Sequence, residues 1–161
     1  MKSASISEIR EELRQSDPAQ LVEHCVRLCR FKKENKELLG YLLFESHDPE
    51  LYIKNIKEEL DEAFLTVNRS QLYQAKKTLR KILRLSNKYI RYIGSSNAEI
   101  EILLHYCSRF KSLGLPLHKS TALFNLYRSQ LKKIATALST MHEDLQYDYK
   151  KELEQLEADR S

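Results

Sequence analysis

Glycine and proline are scarce in this chain, which has three of each among its 161 residues. A sheet protein needs tight turns between its strands, and those turns depend on glycine, proline and a few small polar residues. Helices joined by short polar loops need far fewer of these residues. The sequence therefore predicts an all-α protein.

Length and composition limit the number of domains. Hydrophobic residues make up 42% of the chain and charged residues 31%, which is typical of a globular protein with a buried core. A length of 161 residues suits one domain. We therefore predict a single helical domain over residues 1–161, with residues 143–161 forming an acidic helix end that protrudes or frays.

Start and stop signals divide the chain into about seven helices. The start signals are either capping-box spacings, in which a serine precedes a glutamate by three residues, or an aspartate followed directly by proline. These signals are Ser5 with Glu8, Asp17-Pro18, Asp48-Pro49, and Ser96 with Glu99.

Two helices receive specific predictions from their apolar residues. The third helix is apolar on all sides around Leu42 and Leu43, so we predict that it lies centrally in the fold. Cys25 and Cys29 are one turn apart on the apolar stripe of the second helix, where we predict reduced, buried thiols without disulfides.

The last predicted helix is the longest, because nothing breaks it from about Thr121 to Ala158. Its apolar residues are three or four positions apart, as in a coiled-coil seam. We predict that this seam binds a protein partner or a second copy of the chain. The candidate seam residues are Leu138, Met141, Leu145, Tyr149, Leu153 and Leu156.

The repeated Asp-Pro starts at Asp17 and Asp48, together with the run of helices joined by short loops, resemble HEAT-type helical repeats in general architecture. The resemblance implies a right-handed superhelix of antiparallel helix pairs. An irregular helical bundle is the alternative. No residue-level family signature accompanies the resemblance, so it implies no function.

Charge is unevenly distributed along the chain. Residues 1–62 contain 10 basic and 14 acidic side chains, residues 63–98 contain 8 basic and no acidic ones, and residues 99–161 contain 9 of each. The whole positive excess therefore lies in the middle segment, which covers the fifth predicted helix.

Seven cations fall on one broad face of that helix, around residues 70–93, and its leucines and isoleucines fall on the other. Such a face can follow a phosphate backbone over about 20 Å, and tyrosines near it can stack on bases. The candidate polyanion-binding residues are Lys77, Arg80, Lys81, Arg84, Lys88, Arg91, Tyr73 and Tyr92.

Internal neutralisation is the alternative interpretation of the basic face. If the fourth and fifth helices are antiparallel, Lys76 and Lys77 lie level with the acidic residues of 58–62 and pair with them. The acidic end of the last helix, which has 7 acidic and 3 basic residues over 143–161, can also cover the face.

Enzymatic motifs are missing from the sequence. It contains no glycine-rich phosphate-binding loop, no H-E-x-x-H and no pair of Glu-x-x-His motifs. His105 and Cys107 are two residues apart and point to different sides of a helix, so we interpret His105 as a structural histidine. We predict no enzyme, no cofactor, no metal site and no small-molecule substrate.

Residues 1–13 lack the apolar stretch of a signal peptide or membrane span, which predicts a cytoplasmic protein without a membrane contact. The predicted function is a non-enzymatic protein–protein interaction or scaffold module built from stacked helices, with a protein partner or a homodimer. The alternative is nucleic-acid or other polyanion binding through the basic face.

Overall fold

The computed structural model describes residues 1–158, and helices are the only regular secondary structure in that part of the chain. The all-α prediction is confirmed, although the helices number eight rather than seven. A π-helical segment, Tyr41–Glu45, continues the third helix, and a 3-10 turn, Leu117–Lys119, precedes the seventh. The helices are α1 (Ile6–Gln15), α2 (Pro18–Phe31), α3 (Lys33–Gly40), α4 (Pro49–Phe64), α5 (Leu72–Ile93), α6 (Ser96–Ser112), α7 (Thr121–Ser139) and α8 (Glu143–Ala158).

The predicted start signals act as caps, with one shift in position. The Ser5 hydroxyl accepts from the backbone N–H of Glu8, and the Glu8 carboxylate accepts from the backbone N–H of Ser5, so α1 begins with a complete capping box. Asp17 and Asp48 cap α2 and α4, each with proline at the first helical position. Helix α6 is capped by Ser95, one residue before the predicted cap.

The prediction of one long C-terminal helix is wrong, because the chain leaves the helix after Ser139. The hydroxyls of Ser139 and Thr140 donate to carbonyls three residues earlier, at 2.6 and 2.7 Å, and such side-chain bonds compete with helical backbone bonds. The chain then turns back. The Tyr127 hydroxyl, in the first half of α7, donates to the carbonyl of Leu156 near the end of α8 at 2.9 Å.

The chain divides into two compact units, Met1–Glu45 and Ser46–Ser161, a boundary that the sequence analysis did not draw. The core of the second unit is built around α6, which packs against α4, α5, α7 and α8. Buried side chains cover most of the circumference of α6, so this helix is the central one. Its buried residues are Ala98, Ile100, Ile102, Leu103, Leu104, Tyr106, Cys107 and Phe110.

The first unit buries very little. Among residues 1–45, all of which the structure describes, Tyr41 is the only buried side chain. Helices α2 and α3 pack against each other, whereas α1 is packed along neither of them. The prediction of a central third helix is wrong for its end, because Leu42 and Leu43 are exposed.

Candidate interaction surfaces

Helix α5 presents the predicted basic face to solvent. Ala75, Leu79, Ile82 and Ser86 are buried on its inner side, against α4 and α6. A helix that buries one stripe must expose the opposite one, and that stripe carries the cations over about 21 Å of helix. The exposed cations are Lys77, Arg80, Lys81, Arg84 and Arg91.

These five cations have no carboxylate partner within residues 1–158. None of their nitrogen atoms lies within 4.0 Å of a described carboxylate oxygen. Helix α8, which the sequence placed as a possible acidic cover, packs against α6 and α7. The like charges on this face are therefore left to solvent and to any external anion.

The predicted pairs of Lys76 and Lys77 with the acidic residues of α4 do not form. Glu59 instead accepts from the Tyr89 hydroxyl of α5 at 2.6 Å, and Asp61 binds α6. Asp61 accepts from the Arg109 guanidinium of α6 at 2.7 and 2.8 Å, and His105 Nε2 lies 2.6 Å from the same carboxylate. Partial burial raises the pKa of Asp61, but the hydrogen bonds from Arg109 and His105 outweigh it and hold that pKa below its usual value.

The two candidate tyrosines have different environments. Tyr73 is exposed at the start of α5, with the ammonium groups of Lys76 and Lys77 5.3 and 4.7 Å from its ring centroid. Tyr92 is only 8% exposed, so its predicted role as a base-stacking residue is wrong. Lys88 Nζ lies 4.9 Å from the ring centroid of Tyr89, which ties this lysine to an aromatic cluster rather than to the open part of the face.

The predicted interaction seam lies mainly inside the second unit. Leu138, Leu153 and Leu156 are buried in its core, and Met141 and Tyr149 pack partly buried against that core. Only Leu145, at 59% exposure, is open to a partner. The apolar residues were predicted correctly as a stripe, but the break after α7 turns most of the stripe inward.

Helix α8 is also held by a polar network that the sequence analysis missed. The Tyr149 hydroxyl lies 2.9 Å from Asn97 Oδ1 and 3.0 Å from Glu101 Oε1. Burial, followed by the contact with Glu101, raises the pKa of Tyr149 to about 12. Burial alone raises the pKa of Glu101, yet its ion pair with Lys57 at 3.0 Å lowers it overall. Residues 159–161 of the predicted acidic end lie outside the described residues.

The cysteines are free thiols in three different environments. Cys107 is buried, and burial raises the pKa of its thiol well above the usual range. Cys29 is half-buried, but Cys25 is exposed, so the prediction of a buried thiol at that position is wrong. The stripe that carries Cys25 and Cys29 faces outward because little of the first unit is covered.

The first unit exposes an apolar surface, and the sequence analysis missed its importance. The periodicity of its helices was visible, but periodicity does not show whether a stripe has a partner. The exposed apolar side chains are Ile6, Ile9, Leu13, Val22, Leu28, Phe31, Leu42, Leu43 and Phe44.

A shallow groove of about 200 Å³ lies between α2 and α3 in this surface. The Asn35 side-chain amide donates to the Leu28 carbonyl at 2.9 Å and thereby joins the end of α2 to the start of α3. All of the other lining side chains are apolar or thiols. The lining residues are Cys25, Leu28, Cys29, Asn35, Leu38, Leu39 and Leu42.

No protein family, curated protein or solved structure matches this chain. No helix among residues 1–158 is both long enough and apolar enough to span a bilayer. The same part of the chain contains no cluster of three or more histidine, cysteine, aspartate or glutamate side chains arranged to hold a metal ion. The two candidate functional surfaces are therefore the basic face of α5 and the apolar surface of residues 1–45.

Proposed function

We propose that the chain is a non-enzymatic protein–protein interaction module whose docking surface is the exposed apolar surface of residues 1–45. The observation that carries the proposal is that Tyr41 is the only buried side chain within those residues, all of which are described. A unit of this size rarely supplies enough buried apolar area for its own stability. A partner that covers the surface would supply the missing burial.

The surface exposes two large aromatic side chains that can serve as anchors. Phe31 is 77% exposed and Phe44 is 70% exposed. Burial of one such side chain contributes about 1.5–3 kcal/mol. Several of them together offset the cost of association and support an affinity in the micromolar range, which corresponds to about 8 kcal/mol.

A photo-activated cross-linker placed in living cells tests this proposal. Phe31 and Phe44 are each replaced by a benzophenone amino acid, and Tyr147 of α8, an aromatic residue exposed to 74%, is replaced in the same way as a matched control. We expect discrete cross-linked adducts from the two positions in the first unit and none from the control. An absence of adducts at both Phe31 and Phe44 would contradict the proposal.

A second candidate function is polyanion binding through the basic face of α5. It is favoured by the five exposed cations that have no carboxylate partner within residues 1–158. Exposed Tyr73 at one end of the face adds a surface on which an unpaired base can stack. Nucleic acid is the polyanion that uses both features.

Fluorescence anisotropy with labelled single- and double-stranded oligonucleotides tests this candidate. Arg80→Glu with Arg84→Glu reverses two charges on the face, and Lys150→Glu with Lys151→Glu makes the same net change on exposed residues of α8. We expect the first pair alone to weaken binding and to reduce the salt slope by about 0.7–0.9 per lost phosphate contact. An equal loss of affinity in both variants would mean that binding depends on net charge and not on the basic face of α5.

We also propose an irregular bundle for the second unit and a cytoplasmic location for the chain. The second unit is better described as an irregular bundle than as a HEAT-like superhelix of antiparallel pairs. Helix α6 packs against four helices, whereas in a repeat stack each repeat contacts only the repeats next to it.

A cytoplasmic location is supported by the three free thiols, which a reducing compartment preserves.

A further inference from the structure

Helix α1 has an apolar stripe without a partner in its own unit. Ile6, Ile9 and Leu13 have the i, i+3, i+7 spacing by which an amphipathic helix anchors itself in a groove. All three side chains are exposed, and α1 is packed along neither α2 nor α3. The helix is therefore formed and capped, but its apolar stripe is uncovered.

The groove between α2 and α3 is the complementary half. It is lined by leucines, two cysteines and Asn35, and it is open in the same unit. Residues 27–37, which connect its two walls, carry five basic and two acidic side chains, whereas α1 carries three acidic and two basic ones. The helix and the groove are thus both apolar, and the net charges of the two segments, −1 and +3, are opposite in sign.

The connection between α1 and α2 consists of two extended residues. Ser16 (φ −74°, ψ 143°) and Asp17 (φ −67°, ψ 144°) are both extended. The Ser16 N–H donates to the carbonyl of Leu13, and the Asp17 carboxylate accepts from the N–H of Ala19, so both helix ends at this corner are capped. Pro18 follows and disfavours a helical conformation at Asp17. With this corner, α1 is packed along neither α2 nor α3.

We propose that α1 of one copy docks Ile6, Ile9 and Leu13 into the α2–α3 groove of a second copy, and that the second copy returns the same contact. The resulting two-fold dimer uses the helix and the groove of each chain once. This inference rests on the proposed interaction function and names its partner as a second copy of the chain.

Sedimentation velocity and light scattering over a wide concentration range test the dimer. Ile9→Asp with Leu13→Asp removes the helix anchors, and Leu42→Asp places a charge in the groove at an exposed position. Leu145→Asp, at an exposed leucine of α8, is the matched control. We expect the wild type and the control to dimerise and both other variants to be monomeric, with helical circular dichroism reduced by no more than the ten residues of α1.

Mixing the two defective variants separates this geometry from any other dimer. The variant with the altered helix keeps an intact groove, and the Leu42→Asp variant keeps an intact helix. Their mixture should recover a heterodimer that is weaker than the wild type, because one of its two contacts is restored. A mixture that stays monomeric, or a dimer that is lost only in Leu145→Asp, would overturn the inference.

The cross-linking experiment separates failure of this inference from failure of the proposed function. An adduct of twice the chain mass at Phe31 or Phe44 supports both. A discrete adduct of another mass, together with a monomeric wild type, overturns the second copy as partner and leaves the interaction function supported. No adduct and a monomeric wild type overturn both.

Discussion

The two units of this chain are equally helical but differ in what holds their helices together. In the second unit, α6 is buried on most of its circumference by four other helices. In residues 1–45, Tyr41 alone is buried, and the helices rely on caps such as the Ser5–Glu8 box. The helical content of a unit therefore does not indicate how large its hydrophobic core is. Local signals determine where a helix begins, and burial determines how stable that helix is.

The largest expected difference between the units is in amide hydrogen exchange at low protein concentration. Amides of α6 should exchange only through global unfolding, which costs about 5–15 kcal/mol in a typical domain. Helix α1 has ten residues, fewer than the roughly 12–15 that an isolated helix needs, so its amides should exchange with little protection. Mass spectrometry of peptides from the two helices measures the difference in protection. Similar protection in both would show that burial does not distinguish the two units.

A matched pair of phenylalanine truncations gives the next largest effect. Phe110 is 1% exposed in α6, and its ring packs 6.1 Å from Tyr106 and 5.2 Å from Tyr127 between centroids. Phe110→Ala should lower the free energy of unfolding of the second unit by about 3–5 kcal/mol. Phe44→Ala, at a residue exposed to 70%, should change it by less than about 0.5 kcal/mol.

Urea denaturation of the two variants and the wild type provides the measurement. Phe44→Ala is at the same time the control for loss of a benzyl group without loss of a core contact. If the two variants shifted the unfolding midpoint equally, Phe44 would contribute to stability as much as a core residue does, despite its exposure.

The sequence predicted the local features of the fold well. Ser5, Asp17 and Asp48 cap the helices that they were expected to cap, because a capping residue acts on amides within its own next turn. The break after α7 was missed because it depends on Ser139 and Thr140, whose hydroxyls are compatible with helix until a turn back onto α7 favours the alternative bonds.

The surfaces were predicted less well, because the sequence of a helix shows which residues form a stripe but not which other helix packs against that stripe. The cations of α5 were identified from the charge distribution and the helical spacing. The sequence does not show that Asp61 pairs with Arg109, 48 residues away, rather than with a cation of α5. The apolar end of the third helix was assigned to the core, yet Leu42 is exposed. Hydrophobicity shows that a side chain favours burial and not whether anything buries it.

Each unit has a carboxylate with a lowered pKa, so the two units can be distinguished in acid. Asp61 in the second unit and Glu8 in α1 both have a pKa below the usual value, Asp61 through Arg109 and His105 and Glu8 through the backbone and side chain of Ser5. The stability that such a group contributes is present above its unfolded pKa, which is 3.8 for aspartate, and is lost as the pH falls through the folded pKa.

Asp61→Asn should therefore lower stability near neutral pH by about 1 kcal/mol, a value that allows for solvent screening of a part-exposed pair, and should flatten the acid limb of the stability profile. Glu8→Gln should leave the unfolding of the second unit unchanged at every pH. Urea midpoints measured from neutral pH to below pH 3.8 test both predictions. An unchanged acid limb in Asp61→Asn would mean that the contacts of Asp61 with Arg109 and His105 do not contribute to the stability of the second unit.

The smallest effect concerns polar contacts between helices. Tyr149→Phe removes the hydroxyl that meets Asn97 and Glu101, and should destabilise the second unit by about 0.5–1.5 kcal/mol. Asn35→Ala removes one hydrogen bond between α2 and α3 in the first unit and should leave the second unit unaffected. Tyr147→Phe, at a residue exposed to 74%, controls for loss of a phenol in the same helix.

The alkaline limb of the stability–pH profile shows whether the Tyr149 hydroxyl contributes to stability or whether only the packing of its ring does. Its folded pKa of about 12 lies above the unfolded value of 10.0, so its contribution is complete below pH 10.0 and is lost as the pH rises towards about 12. Tyr149→Phe should remove this loss and give a flatter alkaline limb than Tyr147→Phe. Because α8 packs against α6 and α7, identical limbs would mean that apolar burial of Leu153 and Leu156 holds α8 in place without help from the hydroxyl.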